Sequence, residues 1–164
     1  MLAAPARRIR AAGGCERAAA GLPTAYRAMV QSLESRLSDQ PLLASTEALL
    51  AYLSAAMGAL PTEAVQVLFL DATLRLIRNE RMFRGTISEC PFYAREVVRR
   101  GLELGATHLI LVHNHPSGDP TPSDDDRKRT RDLIEAARLF DIQVVDHLII
   151  ARTECRSMRA MGYF

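Results

Sequence analysis

Apolar residues along this chain of 164 residues recur first at helical spacing and then in short continuous runs. From Tyr26 to Leu37 they lie mostly three or four residues apart, which predicts a helix over 24–37. A second helix is expected from about Ser45, a suitable N-cap, to Met57. The part of the chain before the first strand is therefore expected to be helical.

The pattern then changes to one that is typical of β-strands. The apolar run Ala64–Leu70 predicts a buried strand, and Asp71–Leu74 predicts a hairpin turn after it. The turn leads into a second strand over about Arg75–Phe83. Gly85–Ser88 is interpreted as either a third short strand or a connection.

Helices and strands alternate in the second half of the chain. A helix is expected over about Tyr93–Leu104, followed by a buried strand over His108–Val112. The longest helix is expected over Ser123–Phe140, and a further strand over 142–151 precedes a last short element. This alternation predicts an α/β fold, a three-layer α/β/α sandwich around a mixed sheet.

The composition indicates one soluble globular domain with a tail. The hydrophobic fraction is 48%, the formal net charge is +2 and the pI is about 8.6, so the charge neither requires nor excludes a nucleic-acid partner. No apolar run approaches the roughly 20 residues that a membrane span needs. The cysteines are scattered and odd in number, which favours a reducing compartment such as the cytoplasm; they are Cys15, Cys90 and Cys155.

The N-terminal segment differs from the rest in charge. Residues 1–21 carry four arginines and one acid, Glu16, a composition that also occurs in organelle transit peptides. A basic tail is the favoured interpretation. We therefore divide the chain into a basic N-terminal tail and helix over 1–41 and one domain over 42–164.

The candidate chemistry lies where the strand His108–Val112 ends. His113 and His115 are two residues apart, so on an extended backbone both imidazoles leave the same face. A Pro/Gly loop follows, Ser123 is a natural N-cap, and Asp126 falls at the third helical position. Acidic residues are also common at helix N-termini for electrostatic reasons alone. Two imidazoles, one carboxylate and an open position nevertheless form the ligand set of a catalytic zinc site.

The spacing of these four residues resembles the JAMM (JAB1/MPN/Mov34) metalloprotease motif. The amino-acid sequence from His113 to Ser123 resembles that of the RadC-like branch of that family. The resemblance runs from about residue 42 to the C-terminus, with further matches at Phe69–Asp71, Gly85–Thr86, Arg95–Val98 and Asp146–Ile150. It implies the JAB/MPN fold, which is similar to that of cytidine deaminases.

The resemblance also implies roles for individual residues. One Zn²⁺ ion would be held by His113, His115 and Asp126, and would activate water and polarise a substrate carbonyl. The family's general base corresponds to Glu63, with Glu80 and Glu89 as the alternatives. Ser123 corresponds to the serine that donates a hydrogen bond to the oxyanion.

Neighbouring polar residues receive structural interpretations. Asn114 should point to the face opposite the two histidines and is interpreted as structural. His147 is expected to pack behind the ligands rather than to bind metal. The basic stretch Arg127–Arg131 is interpreted mainly as a solvated helix face.

The predicted function is that of a zinc metallopeptidase, a hydrolase acting on an unidentified peptide or protein. The alternative is a DNA-repair-associated protein that binds nucleic acid, for which the basic N-terminus and a possible hairpin remnant at Gly21–Ala25 give modest support. A third interpretation, hydrolysis of a nucleotide or nucleobase, lacks the Pro-Cys-x-x-Cys ligands of zinc deaminases. The sequence predicts no membrane partner and leaves the oligomeric state open.

Overall fold

A computed structural model describes residues 16–35, 37, 41–42, 46–152 and 154–164, with the side chains of 16–23 left aside. The helices and strands, in chain order, are α1 (Glu16–Ser35), α2 (Thr46–Met57), β1 (Ala64–Leu70), β2 (Leu76–Arg84), α3 (Ala94–Leu104), β3 (His108–Asn114), α4 (Asp124–Arg138), β4 (Gln143–Ala151) and β5 (Glu154–Ser157).

The strands form one mixed sheet in the order β2-β1-β3-β4-β5. Strands β3 and β4 pair in parallel, and the remaining neighbours pair antiparallel. A parallel pair needs a long connection, and α4 provides it between β3 and β4. The predicted mixed sheet is confirmed.

Helices cover both faces of this sheet. Alternate residues of β1 face opposite ways, so Val65 and Val67 pack with α3 and α4 in one hydrophobic cluster. Leu68 and Ile110 pack with α2 in a second cluster on the other face. Because both faces are covered, β1 is buried along its whole length and reads as a continuous apolar run. The predicted α/β architecture with three layers is confirmed.

Two sequence-based predictions need correction: the start of the first helix, and the expectation that the longest helix begins at Ser123, since α1 has 20 residues and α4 has 15. Helix α1 begins at Glu16 rather than at residue 24 and continues through Gly21–Ala25, so the structure has no hairpin there. The Ala-rich segment at its start has high helix propensity, which compensates for Pro23 and Gly21. Gly85–Ser88 is a connection and not a strand. The N-cap prediction for Ser45 lies outside the described residues.

Among the helices that the structure describes, none is both long and apolar enough to cross a membrane.

Candidate metal centre

Three segments meet at the end of β3 to form a polar site. Glu63 lies just before β1, His113 and His115 lie at and just after the end of β3, and Asp126 lies in the first turn of α4. Glu63, His113 and Asp126 are only 7%, 2% and 6% exposed. The side chain of His115 is 11% exposed. Buried titratable groups in contact are unusual outside functional sites.

Strand pairing explains why Glu63 and His113 meet. Val65 of β1 pairs with His113 of β3 in an antiparallel register. The hydrogen bonds of β1 with β2 continue one step further, since the Glu63 amide donates to the Thr86 carbonyl at 2.7 Å and the Gly85 amide to the Glu63 carbonyl at 2.8 Å. The backbone of Glu63 is therefore fixed before its side chain is considered.

Asn114 fixes the same segment from the other side. Its Oδ1 accepts a hydrogen bond from the Ala64 amide at 2.8 Å, and its Nδ2 donates to the Thr62 carbonyl at 3.1 Å. The side chain alternates with His113 along β3 and points to the opposite face. Asn114 thus holds the two residues that flank Glu63.

The side chains of the site are in direct contact. His113 Nε2 lies 3.1 Å from Glu63 Oε2, and His113 Nδ1 lies 3.1 Å from Asp126 Oδ1. His115 Nε2 lies 3.5 Å from Asp126 Oδ2. The two imidazole rings are 5.0 Å apart at 88° to each other. The structure thus brings together Glu63, both histidines and Asp126, which are four of the five residues that the sequence placed in one site.

The loop after β3 determines the orientation of His115. Its Nδ1 lies 2.8 Å from the Asp119 carbonyl, which can only accept a hydrogen bond, so Nδ1 carries the proton. In the neutral ring, Nε2 then has a free lone pair that faces the site. Gly118, with φ of 90°, supplies the tight turn that returns Asp119 to the ring.

Ser123 and Asp126 form a capping box at the start of α4. The Asp126 amide donates to Ser123 Oγ at 3.1 Å, and the Ser123 amide donates to Asp126 Oδ2 at 2.8 Å. The Ser123 hydroxyl also donates to Asp126 Oδ2 at 2.6 Å. Helix capping therefore orients the carboxylate towards the histidines.

A fully buried pair, Thr130 and His147, lies behind the site. Thr130 Oγ1 donates to the Asp126 carbonyl at 2.6 Å and lies 2.7 Å from His147 Nδ1. The His147 ring stacks on His113 at 6.2 Å and 10°. Burial lowers the pKa of His147 to about 3, so its ring is neutral. The role of Thr130 was missed from the sequence, although its position four residues after Asp126 puts both on one helix face.

The charges of the site shift its pKa values strongly. Burial opposes protonation of His113, but the Asp126 and Glu63 carboxylates outweigh it and raise the pKa to about 9. Burial would raise the pKa of Asp126, yet the two histidines and Ser123 hold it well below its usual range. The carboxylates therefore favour positive charge at this position, whether protons or a metal cation carry it.

The donor atoms fit a small cation. One nitrogen or oxygen from each of Glu63, His113 and His115 lies within 4.8 Å of the others, and Asp126 contacts both rings. His113 Nδ1 is buried and makes no hydrogen bond within the described structure, although Asp126 Oδ1 is close. Two imidazoles and two carboxylates include the N and O ligands that zinc takes.

The site opens into a cleft of about 660 Å³. Ile87–Pro91 lines one side, and Ser117, Asp119 and Thr121 line another. Glu89 is part of this lining. Glu80 lies elsewhere, on β2, where both of its oxygens bind Arg100 at 2.5 and 2.9 Å.

Three basic residues of α4 form ion pairs with acids of the same helix. Arg127 pairs with Asp124 at 3.1 Å, and Arg129 pairs with Asp125 at 2.6 Å. Lys128 pairs with Asp132 at 3.1 Å. The charge expected on this solvated face is therefore largely cancelled.

Comparison with known proteins gives the family. A family model described as "RadC-like JAB domain" matches residues 43–163. A protein of Rhodobacter capsulatus described as "UPF0758 protein" is 45% identical over 163 residues, which cover 99% of this chain and 76% of that protein. The matched region contains Glu63, both histidines of the site and Asp126. The chain belongs to the RadC-like JAB domain family.

Proposed function

We propose that this protein is a zinc-dependent metallopeptidase of the JAMM type. His113, His115 and Asp126 hold the metal, and Glu63 is the general base. The observation that carries the proposal is the burial of the Glu63 carboxylate against His113, with Oε2 3.1 Å from Nε2. A carboxylate in this position can reach a water molecule beside the metal.

The hydrogen bonds of the two acids support their division of roles. Asp126 is fixed by the Ser123 amide and hydroxyl, which suits a ligand whose position must not change. Among the described residues, the Glu63 carboxylate forms a hydrogen bond with His113 alone. A side chain with few restraints is suited to receive a proton and release it again.

The mechanism depends on transfer of a proton by Glu63. A bound zinc ion supplies a Lewis acid that polarises the amide carbonyl and acidifies a water molecule. Glu63 accepts a proton from the attacking water and delivers it to the nitrogen of the leaving amine. Accepting the proton converts the Glu63 carboxylate into a carboxylic acid, which can then donate. Donation to the amine restores the carboxylate.

Ser123 is assigned to the oxyanion. Its hydroxyl, which lines the cleft, donates to Asp126 Oδ2 in this structure. Rotation about the Cα–Cβ bond turns that hydroxyl towards a substrate oxygen, while the Ser123 amide keeps its own hydrogen bond to Asp126. The oxyanion then gains a donor, while Asp126 keeps one of its two hydrogen bonds from Ser123.

An unidentified peptide or protein is the proposed substrate. The cleft measures about 660 Å³, and three cations of α4 that would otherwise attract a phosphate backbone, Arg127, Lys128 and Arg129, are paired with acids. The described cysteines, Cys90 and Cys155, are free, which agrees with a cytoplasmic location.

The test separates metal binding from catalysis. Glu63→Gln should keep about one equivalent of zinc but reduce peptide cleavage by roughly 10²- to 10⁴-fold, the usual contribution of a general base. His113→Ala should lose both zinc and cleavage. Zinc is measured by elemental analysis, and cleavage by mass spectrometry of a peptide library.

Glu80→Gln is the matched control, because this acid is remote from the cleft and should leave both properties unchanged. Wild-type protein with less than about a tenth of an equivalent of zinc would refute the proposed metal site. Full cleavage by Glu63→Gln would refute the proposed base.

A further inference from the structure

A second cavity lies on the face of the sheet opposite His113. It measures about 550 Å³ and is bounded by α1, α2 and the paired strands β1 and β2. Gln66 belongs to this face because it alternates with Val65, which pairs with His113. The volume is in the range of small-molecule sites.

The lining of this cavity is basic and otherwise mostly apolar. Arg27 and Arg81 contribute two positive charges, and none of the described lining residues is an acid. Tyr26 and Tyr52 contribute aromatic rings, and aliphatic side chains such as Leu60 cover much of the remainder. A ligand with one anionic end and an apolar body would match this distribution.

Arg81 has no ion-pair partner among the described residues. Burial lowers the pKa of its guanidinium, and the neighbouring Arg84 lowers it further. Glu34, an acid of α1, is engaged by Asn79 Nδ2 at 2.6 Å instead. Residues 1–15 contain no Asp or Glu, so that segment has no side-chain carboxylate to offer. A partly desolvated cation that has no partner in the described part of the chain favours a bound anion.

Two further polar side chains, those of Gln66 and Tyr52, line the cavity together with Arg81. Gln66, only 3% exposed, lies directly across from Arg81 in the β1–β2 register. The Tyr52 hydroxyl oxygen accepts hydrogen bonds from Gln66 Nε2 and Asn79 Nδ2, and no acceptor for its own hydrogen is found in the described structure. That hydrogen is available to a ligand in the cavity.

We propose that this cavity binds a small organic anion, a carboxylate or phosphate monoester with an aromatic or aliphatic body. The Arg81 guanidinium and the Tyr52 hydroxyl donate to the anionic group. Leu60 and the neighbouring aliphatic side chains cover the body. The site is separate from the metal centre and does not depend on the proposed hydrolysis.

The test uses the full chain and three probes in isothermal titration calorimetry. Phenyl phosphate and benzoate each combine a ring with an anion, and inorganic phosphate is the anion alone. At least one of the two ring-bearing probes should bind at one site per chain, and inorganic phosphate should bind at least about tenfold more weakly. Tighter binding of phenyl phosphate would indicate a phosphate site, and tighter binding of benzoate would indicate a carboxylate site.

Arg81→Met should weaken binding at least about tenfold, the value of one charge-assisted hydrogen bond. Arg78→Met is the matched control, since Arg78 pairs with Phe69 and lies on the other face of β2. The affinity of this variant for the probe should stay within about twofold of the wild-type value. If the methionine variant does not fold, Arg81→Lys takes its place in the test. Lysine keeps the positive charge, so the loss of affinity should be smaller than that expected for Arg81→Met. Equal binding by wild type and the folded Arg81 variants, or no binding by wild type at about 10 mM of either organic probe, would overturn the proposal.

Discussion

Between the two histidines of the metal centre stands Asn114, whose side chain serves the opposite face of the sheet. It bonds the backbone at Ala64 and Thr62, the two residues that flank Glu63. The proposed general base is thus held in place by a residue of the strand that carries the first proposed ligand. Asn114 is a positioning residue, because it touches neither the metal donors nor the cleft lining.

Replacement of Asn114 should affect stability and activity together. In Asn114→Ala the buried Ala64 amide loses its acceptor, so the free energy of unfolding should fall by about 2–3 kcal/mol in urea titrations. Asn114→Asp retains an acceptor for Ala64 and should lose less. Gln143→Ala, at an exposed position, is the control and should stay within about 0.5 kcal/mol. Asn114→Ala with wild-type stability would contradict the tethering role.

His147 gives the folded protein a specific dependence on pH. Its folded pKa of about 3 lies below the ordinary value of 6.5 because the ring is buried. The unfolded chain therefore gains a proton below pH 6.5 that the folded chain rejects, and stability falls as pH falls towards 3. Between pH 7 and pH 5 this effect amounts to about 2 kcal/mol.

His147→Phe should remove that part of the pH dependence. The variant should be less stable than wild type at pH 7, because Thr130 loses its contact with the ring nitrogen. The difference in unfolding free energy should then narrow by about 2 kcal/mol at pH 5, as measured by denaturant titration at both pH values. A constant difference would show that His147 titrates normally in the folded state.

At the scale of elements, the start of α4 combines a helix cap with a proposed metal ligand. Ser123→Ala removes the hydroxyl of the capping box, and the unfolding free energy should fall by about 0.5–2 kcal/mol. Zinc affinity should fall as well, because Asp126 Oδ2 loses one of its donors. Ser32→Ala, on the exposed side of α1, is the control and should change neither. Unchanged zinc affinity in Ser123→Ala would separate capping from ligand orientation.

The elements that were predicted well are those with a strong local pattern. The apolar run of β1 and the strand–loop–helix unit from His108 to Asp126 were legible because their residues are close in sequence. The start of α1 was not, because Gly21 and Pro23 usually indicate a turn and the helix passes through both.

The contacts that complete the site could not be predicted from local sequence patterns either. Asn114 binds residues about fifty positions away, and Thr130 meets His147 across seventeen. No periodicity in the sequence encodes such distances, which follow from the pairing of β1 with β3 and the packing of α4 on β4. Residue types near a motif could therefore be identified, but their partners could not.

For the whole molecule, the metal should contribute to global stability. The proposed ligands come from β3, its following loop and α4, so a bound ion links segments that are apart in the unfolded chain. Zinc at about a hundred times its dissociation constant adds about 2.7 kcal/mol, which corresponds to about 5–10 °C in Tm. Calorimetric scans with zinc and with a chelator measure the shift.

The same scans on His113→Ala provide the control, because its Tm should no longer respond to zinc or to the chelator. A wild-type Tm that is identical in both conditions would show that no ion is bound to the folded state alone.

The alternation of His113 and Asn114 along β3 has a consequence for misfolding. If β3 slipped by one residue against β1, each side chain would exchange faces: the imidazole would enter the layer beneath α2, and the amide would enter the cleft. The proposed metal site would then lose His113, and the segment that carries Glu63 would lose its hydrogen bonds to Asn114. Under the proposed function, such a mispaired molecule would bind no metal at this site and would have no hydrolase activity.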